Sequence, residues 1–188
     1  MIRYLTLTFI VLTVSANATE LGDCGYTPKR TGQHVNPGWE IFEDCASYED
    51  GVLKIAREHL TNLNFGNLDI ASFYCPDQFF YVKPDGRYLS VIAYDNGADP
   101  YQEGLTRSLL EGKIAYYNLD FELVLAPGYD WAWPFENGRA LVCKGCTAKP
   151  VEDGHQALTG GLWGYIDRQG EVVIPVQYKA GEVPGKTK

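Results

Sequence analysis

Short segments in which hydrophobic and polar positions alternate, separated by turn residues, recur along the chain. The clearest one runs from Leu162 to Ile166, passes through Asp167-Arg168-Gln169-Gly170 and continues as Val172-Val173-Ile174-Pro175. A period of two is typical of β-strands, whose side chains point alternately to opposite faces. Asp at the start of the turn and Gly at a position that needs a left-handed backbone favour a tight turn. This segment therefore predicts a β-hairpin.

The same hairpin plan occurs in two earlier segments, from Phe79 to Arg87 and from Ile114 to Val124. A second phrase alternates with the hairpins and consists of an aromatic residue, a Gly three positions later and an apolar stretch. We call it the aromatic–Gly phrase. Its copies run from Tyr48 to Ile55, from Tyr101 to Leu105 and from Phe135 to Val142.

The repetition predicts the division of the chain. About three copies fill residues 45–182, and the outer two carry insertions near residues 56–75 and 143–161. A single hairpin is marginal in water, whereas stacked units share a continuous core. The repeated positions are therefore expected to be structural: Phe79, Phe135, Gly138, Trp163, Gly164, Tyr165 and Gly170.

These motifs resemble the WG repeat family, also called KWG. The resemblance rests on Trp163-Gly164-Tyr165-Ile166-Asp167 with Val172-Val173-Ile174-Pro175, and on Phe135-x-x-Gly138-x-Ala140. It spans about residues 45–180 and is weakest in the first copy, where Phe80 replaces Gly and Lys83 replaces Asp. The resemblance implies tandem short antiparallel β units in proteins that are often exported and often regarded as interaction scaffolds. It implies no catalytic residues.

One stretch departs from the β pattern. Val52, Ala56, His59, Leu60 and Leu63 recur at intervals of three and four, which predicts a helix over residues 52–63. The alternative keeps residues 52–55 as a strand and confines the helix to the insertion. The expected fold is mainly β, with antiparallel hairpin or meander repeats and one N-terminal helix. Residues 19–44 are expected to form an extended lead, and residues 183–188 a flexible tail.

The N-terminal stretch is typical of a secretory signal peptide. A positive start at Arg3 precedes an apolar run from Leu5 to Val14 and the small-x-small sequence Ala16-Asn17-Ala18. The run is shorter than the about 20 residues that span a bilayer, so stable membrane insertion after processing is not expected. A buried N-terminal strand is the alternative. Residues 1–18 are therefore predicted to be removed, leaving a mature chain that begins at Thr19 in the periplasm or outside the cell.

Composition and charge limit the kinds of molecule that the protein is expected to bind. The chain has 13 Tyr, 8 Phe, 4 Trp, 20 Gly and a single Met, which agrees with many short strands and turns. Its formal net charge is −8 and it contains no basic run. Nucleic-acid binding draws its affinity from clustered Lys and Arg, so this class of partner is not expected.

The five cysteines would enter an oxidising compartment, where pairing is the default. Cys143 and Cys146 are expected to form a local disulfide, with a redox-active pair as the alternative. Of the other three, Cys45 and Cys75 flank phrases of the same copy and are favoured as a second bridge over pairings with Cys24. A zinc site of Cys143, Cys146, His155 and possibly Cys75 is a weaker alternative, because only one closely spaced Cys pair is present. No metal or other cofactor is therefore predicted.

Support for catalysis is thin. The three histidines, His34, His59 and His155, lie in different contexts, and no recognisable nucleophile motif accompanies them. Tyr129, Trp131 and Trp133 alternate at a spacing of two and form the candidate binding surface, with rings that suit a sugar or a peptide. At repeat-equivalent positions, however, burial in the repeat core is the favoured interpretation of these rings.

Two hypotheses follow for function. The favoured one is an exported, non-enzymatic WG-repeat scaffold that mediates protein interaction in the cell envelope or outside the cell. The alternative is an exported carbohydrate-binding module or hydrolase that uses Trp131 and Trp133.

Overall fold

The computed structural model describes residues 20–29, 38–151 and 156–185. The predicted signal peptide, His34 and His155 lie outside these residues. The described chain is mainly β, with antiparallel sheets and one short α-helix, as the sequence predicts. No helix in the described ranges is long and apolar enough to cross a membrane. The strands are β1 Gly22–Tyr26, β2 Glu40–Glu49, β3 Val52–Ile55, β4 Ala71–Cys75, β5 Gln78–Val82, β6 Tyr88–Val91, β7 Ala93–Tyr94, β8 Gly97–Ala98, β9 Thr106–Leu110, β10 Lys113–Tyr117, β11 Leu123–Leu125, β12 Trp131–Ala132, β13 Arg139–Pro150, β14 Gln156–Asp167 and β15 Val172–Tyr178.

Strand β1 lies inside the first sheet, whose strand order is β3-β2-β1-β4-β5-β6. It pairs with β2 on one side and with β4 on the other, and it buries Cys24 and Tyr26. The expectation of an extended lead over residues 19–44 is therefore wrong for the described part of that segment. Pairing on both sides satisfies the backbone of a segment whose own composition is typical of a loop.

The helix α1 spans Arg57–Asn62, followed by a 3₁₀ turn at Gly66–Leu68. Residues 52–55 instead form β3, which pairs with β2. The prediction of one helix over residues 52–63 is thus wrong at its start, and the alternative arrangement is observed. Asp50 and Gly51 have positive φ angles of 51° and 79°, so the chain reverses there into a hairpin before the helix can begin.

The later strands form a three-stranded sheet, β11-β10-β9, a four-stranded sheet, β12-β13-β14-β15, and the small hairpin β7-β8. The expected insertion at residues 143–161 consists mainly of the outer half of the long β13–β14 hairpin, with Cys146 opposite Gly160 and Pro150 opposite Gln156. The insertion at residues 56–75 holds α1, the 3₁₀ turn and β4.

The three hairpin segments close through the same backbone hydrogen bond. In each, an N–H donates to the carbonyl four residues later: Lys83 to Arg87 at 2.8 Å, Asn118 to Glu122 at 3.0 Å and Asp167 to Glu171 at 2.9 Å. The residue just before each acceptor has a left-handed backbone: Gly86, Phe121 and Gly170. The repeat seen in the sequence is thus a repeat of turn geometry.

Three clusters of buried side chains form the core, and they succeed one another along the chain. The first draws on residues 24–82, the second on residues 105–166 and the third on residues 141–183. Phe135 is 1% exposed in the second cluster, and Trp163 is 4% exposed in the third. Phe79 does not hold the equivalent place in the first copy, because Phe80 is the fully buried residue of β5. Successive strand residues point to opposite faces, so Phe79 lies on the outer face of the sheet.

The cysteine pairing differs from the expectation for Cys45 and Cys75. Cys45 forms a disulfide with Cys24, and Cys75 is buried without one. Burial raises the pKa of the Cys75 thiol to about 11, so at neutral pH it stays protonated. Cys143 and Cys146 lie at disulfide distance, with their Cα atoms 6.1 Å apart.

The C-terminal segment packs on the third cluster. Val183 is 5% exposed and belongs to that cluster together with Leu141 and Trp163. The expectation of a flexible tail is therefore wrong at its first residue. Residues 186–188 lie outside the described part of the chain.

Candidate binding site

The aromatic stripe predicted from the sequence lies along β12 and its flanks. Trp131 pairs with Cys143 of β13, and the N–H of Trp133 donates to the carbonyl of Leu141 at 2.9 Å. The two indole rings contact each other edge to face, with centroids 5.9 Å apart. Both rings and the ring of Tyr129 are half-buried against the core clusters.

A buried arginine covers these indoles. The guanidinium carbon of Arg107 lies 5.4 Å from the ring centroid of Trp131, 5.9 Å from that of Trp133 and 5.6 Å from that of Tyr94. Arg107 is 1% exposed and forms an ion pair with the buried Asp99. Its Nη1 also donates to the carbonyl of Ala132 at 2.8 Å. The stripe therefore stabilises an internal cation through ring contacts.

Sequence reasoning missed the pair of Asp99 and Arg107. Asp99 also accepts from the N–H of Arg107 at 2.8 Å and from the hydroxyl of Thr106, so its carboxylate is fully engaged. A buried ion pair of this kind is tolerated only when hydrogen bonds satisfy both partners. The one signal in the sequence is an Arg between Leu105 and Leu109, in a short segment that is flanked by apolar residues.

A tyrosine at the same position of each hairpin joins it to the following aromatic–Gly phrase. The hydroxyl of Tyr81 donates to the carbonyl of Asp99 at 2.8 Å, and its ring lies 5.0 Å from that of Tyr101. The hydroxyl of Tyr116 donates to the carbonyl of Trp133 at 2.7 Å, and its ring lies 4.7 Å from that of Phe135. In both cases the residue whose carbonyl accepts the hydrogen bond stands two positions before the aromatic residue of the aromatic–Gly phrase. We call this arrangement the tyrosine junction.

Tyr165 holds the same position in the third hairpin. In the segment that follows, Val183 stands three residues after Ala180, just as Tyr101 follows Ala98 and Phe135 follows Ala132. Val183 belongs to the third core cluster, against which Tyr165 packs. The third junction thus has a small aliphatic residue where the first two have a ring. No residue of the described chain forms a hydrogen bond with the Tyr165 hydroxyl, and the Arg139 guanidinium carbon lies 5.8 Å from its ring centroid.

An open groove of about 360 Å³ lies beside this third junction. It combines aromatic and aliphatic surface with charges of both signs, which suits an extended peptide better than a small apolar ligand. We call it the Tyr165 groove. Its lining residues are Tyr94, Gln102, Trp133, Pro134, Glu136, Asn137, Arg139, Leu141, Tyr165 and Gly185.

The cysteines offer little further chemistry. Ligand atoms of Cys24, Cys45 and His59 lie within 4.8 Å of one another, but a disulfide joins the two sulfurs, so they are not thiolate ligands. Cys143 and Cys146 lie on a β-strand and lack the helix N-terminus that stabilises a reactive thiolate. Cys75 belongs to the first core cluster and these two to the third, so Cys75 does not join them as a zinc ligand, and His155 lies outside the described residues.

Comparison with known proteins supports the repeat assignment. The family described as WG containing repeat matches residues 115–145, from β10 into β13, and residues 163–181, from β14 past β15. No curated protein and no solved structure matches the chain. The matched segments contain the second and third tyrosines of the junction series, Tyr116 and Tyr165. The chain therefore contains segments that match the WG containing repeat, at residues 115–145 and 163–181, as the sequence predicts.

Proposed function

We propose that this protein is an exported, non-enzymatic scaffold that binds a partner protein at the Tyr165 groove. The two disulfides are compatible with a periplasmic or extracellular location, where thiols pair. The predicted signal peptide supports the same location. The groove contains no histidine, cysteine or serine among the described residues, which favours binding over nucleophilic catalysis.

The third tyrosine junction carries this proposal. In the first two junctions an aromatic ring covers the tyrosine and a carbonyl accepts its hydroxyl hydrogen bond. In the third hairpin Val183 stands at the equivalent sequence position, no described residue forms a hydrogen bond with the Tyr165 hydroxyl, and Tyr165 lines an open groove. A partner segment with one aromatic side chain and an accessible backbone carbonyl would complete the pattern. Glu136 and Arg139 would orient that segment by charge.

Site-directed photo-crosslinking tests the proposal. A benzoylphenylalanine at position 136 should cross-link a partner in the native cells, and the attached peptide should contain an aromatic residue. The same group at Val172, which is 53% exposed elsewhere, is the matched control. Arg139→Glu should weaken the cross-link strongly, because it reverses a charge in the lining of the groove. Equal cross-linking at positions 136 and 172, or no effect of Arg139→Glu, would contradict the proposal.

Export is tested separately by intact mass. The protein recovered from native cells should begin at Thr19, because the signal peptide is removed after Ala18. An intact Met1 on the mature protein would overturn the export part of the proposal and leave the binding part to the cross-linking experiment.

A further inference from the structure

A row of side chains crosses the outer face of the first sheet, opposite the buried core. Ile41, Gly25, Tyr74 and Phe79 are successive cross-strand neighbours on β2, β1, β4 and β5. Their inward neighbours on β1, β4 and β5 are the buried Tyr26, Phe73 and Phe80, so the outer row is separate from the core. The ring centroids of Tyr74 and Phe79 are 5.1 Å apart.

Gly25 makes room for an exposed indole in this row. A Cβ at position 25 would lie only 2.7 Å from Nε1 of Trp39, so the ring rests directly on the backbone of β1. Trp39 is 44% exposed, and its ring centroid lies 6.4 Å from that of Phe79. Three aromatic side chains thus form one platform, of which the indole is the most prominent part.

The platform forms one wall of a groove of about 610 Å³, a volume within the range of ligand sites. We call it the Trp39 groove. Among the described residues its lining contains no charged side chain, although 21% of the chain is charged. The lining residues are Thr27, Trp39, Ile41, Asn64, Ser72, Tyr74, Phe79, Asn96 and Gly97.

Polar side chains around the rings have unused hydrogen-bonding capacity. Within the described ranges, the side chains of Thr27, Ser72 and Asn96 form no hydrogen bond with any other described residue. Asn64 uses its carbonyl oxygen to accept the N–H of Gly66 at 3.3 Å. Hydroxyl and amide groups both donate and accept, so they suit a ligand that carries hydroxyl groups.

We propose that the Trp39 groove binds a neutral carbohydrate. A sugar ring presents C–H groups on its faces and hydroxyl groups at its edge, which match the aromatic platform and the surrounding polar side chains. The described lining is uncharged and the chain carries a net charge of −8, which together disfavour phosphates and other anions. The described linings of this site and of the Tyr165 groove have no residue in common, so the inference goes beyond the proposed scaffold function and does not depend on it.

Calorimetric titration with neutral pentasaccharides tests the inference. Cellopentaose, chitopentaose, xylopentaose and maltopentaose form the panel, and at least one should bind saturably. Trp39→Ala should lower its affinity by about tenfold or more, as expected for a loss of about 1.4 kcal/mol of contact. Gly25→Ala should also weaken binding, because the added methyl group displaces the indole while leaving every other lining residue intact.

Two controls separate this site from the rest of the molecule. Tyr165→Phe should leave sugar affinity unchanged, and Trp39→Ala should leave the partner cross-link at position 136 unchanged. Circular dichroism should show that Trp39→Ala keeps the wild-type fold, since this side chain is partly exposed. Failure of the whole panel to bind, equal binding by Trp39→Ala, or binding of only an apolar dye such as anilinonaphthalene sulfonate would overturn the inference.

Discussion

Trp163 and Gly164 have separate structural roles. The indole N–H of Trp163 donates to the carbonyl of Gly160 at 3.0 Å, and the ring is buried in the third cluster. A Cβ at Gly164 would lie 2.5 Å from the carbonyl oxygen of Ile174. The absence of a side chain there allows β14 and β15 to approach closely. The Trp-Gly pair thus combines a large core side chain with a close backbone contact.

Replacing Trp163 tests its place in the core. Trp163→Ala should lower the free energy of unfolding by about 3–5 kcal/mol through lost burial and a residual cavity. The neighbouring Leu162 is 48% exposed, and Leu162→Ala should change the free energy of unfolding by less than about 0.5 kcal/mol. Urea unfolding of both variants measures the difference. An unchanged midpoint for Trp163→Ala would show that the ring does not stabilise the third cluster.

Each hairpin of the array depends on the segment that follows it. Tyr101 packs on Tyr81 of the first hairpin and Phe135 on Tyr116 of the second. In the third, Val183 of the C-terminal segment after β15 is buried in the same cluster as Trp163. Each segment thus covers apolar side chains that a single hairpin would leave exposed.

Removing this C-terminal segment should destabilise the domain. Deletion of residues 181–188 exposes the third cluster and loses the burial of Val183, which is expected to contribute about 1.5–3 kcal/mol. Deletion of residues 186–188 alone keeps Val183 and serves as the control. Thermal unfolding should show a lower midpoint only for the longer deletion. Equal midpoints for the two deletions would mean that Val183 does not stabilise the array.

The molecule as a whole buries several tyrosine hydroxyls between its repeats. Burial raises the pKa of Tyr81 to about 12, and the nearby carboxylate of Asp99 adds to this effect. Burial also raises the pKa values of Tyr101 and Tyr116 well above the ordinary value for tyrosine. The folded chain therefore holds these protons more tightly than the unfolded chain does.

Stability should consequently fall at alkaline pH. The contribution of these tyrosines is fully present below pH about 10, the pKa of an unfolded tyrosine, and is lost as pH rises towards the folded pKa values. Urea midpoints measured between pH 7 and 12 should decline mainly above pH 10, together with the rise in tyrosinate absorbance. Tyr81→Phe should make the decline shallower, because it removes one of these groups. A decline complete below pH 9 would contradict this explanation.

The sequence by itself determined the local elements of this protein. Alternation of apolar residues and the turns around Gly86, Gly138 and Gly170 predict the hairpins, because they depend on residues only a few positions apart. The WG repeats follow from the same local patterns. The predicted helix starts too early. The turn at Asp50 and Gly51 places residues 52–55 in a β-hairpin, although their apolar residues have helical spacing.

The tertiary structure decided the contacts between distant segments. It places β1 in the middle of a sheet, pairs Cys24 with Cys45, and brings Arg107 between Asp99 and the tryptophans of the predicted stripe. Both grooves arise in the same way, from residues far apart along the chain. Local patterns specify which face of a strand is apolar, but which strands become neighbours depends on how the faces of the whole chain are covered.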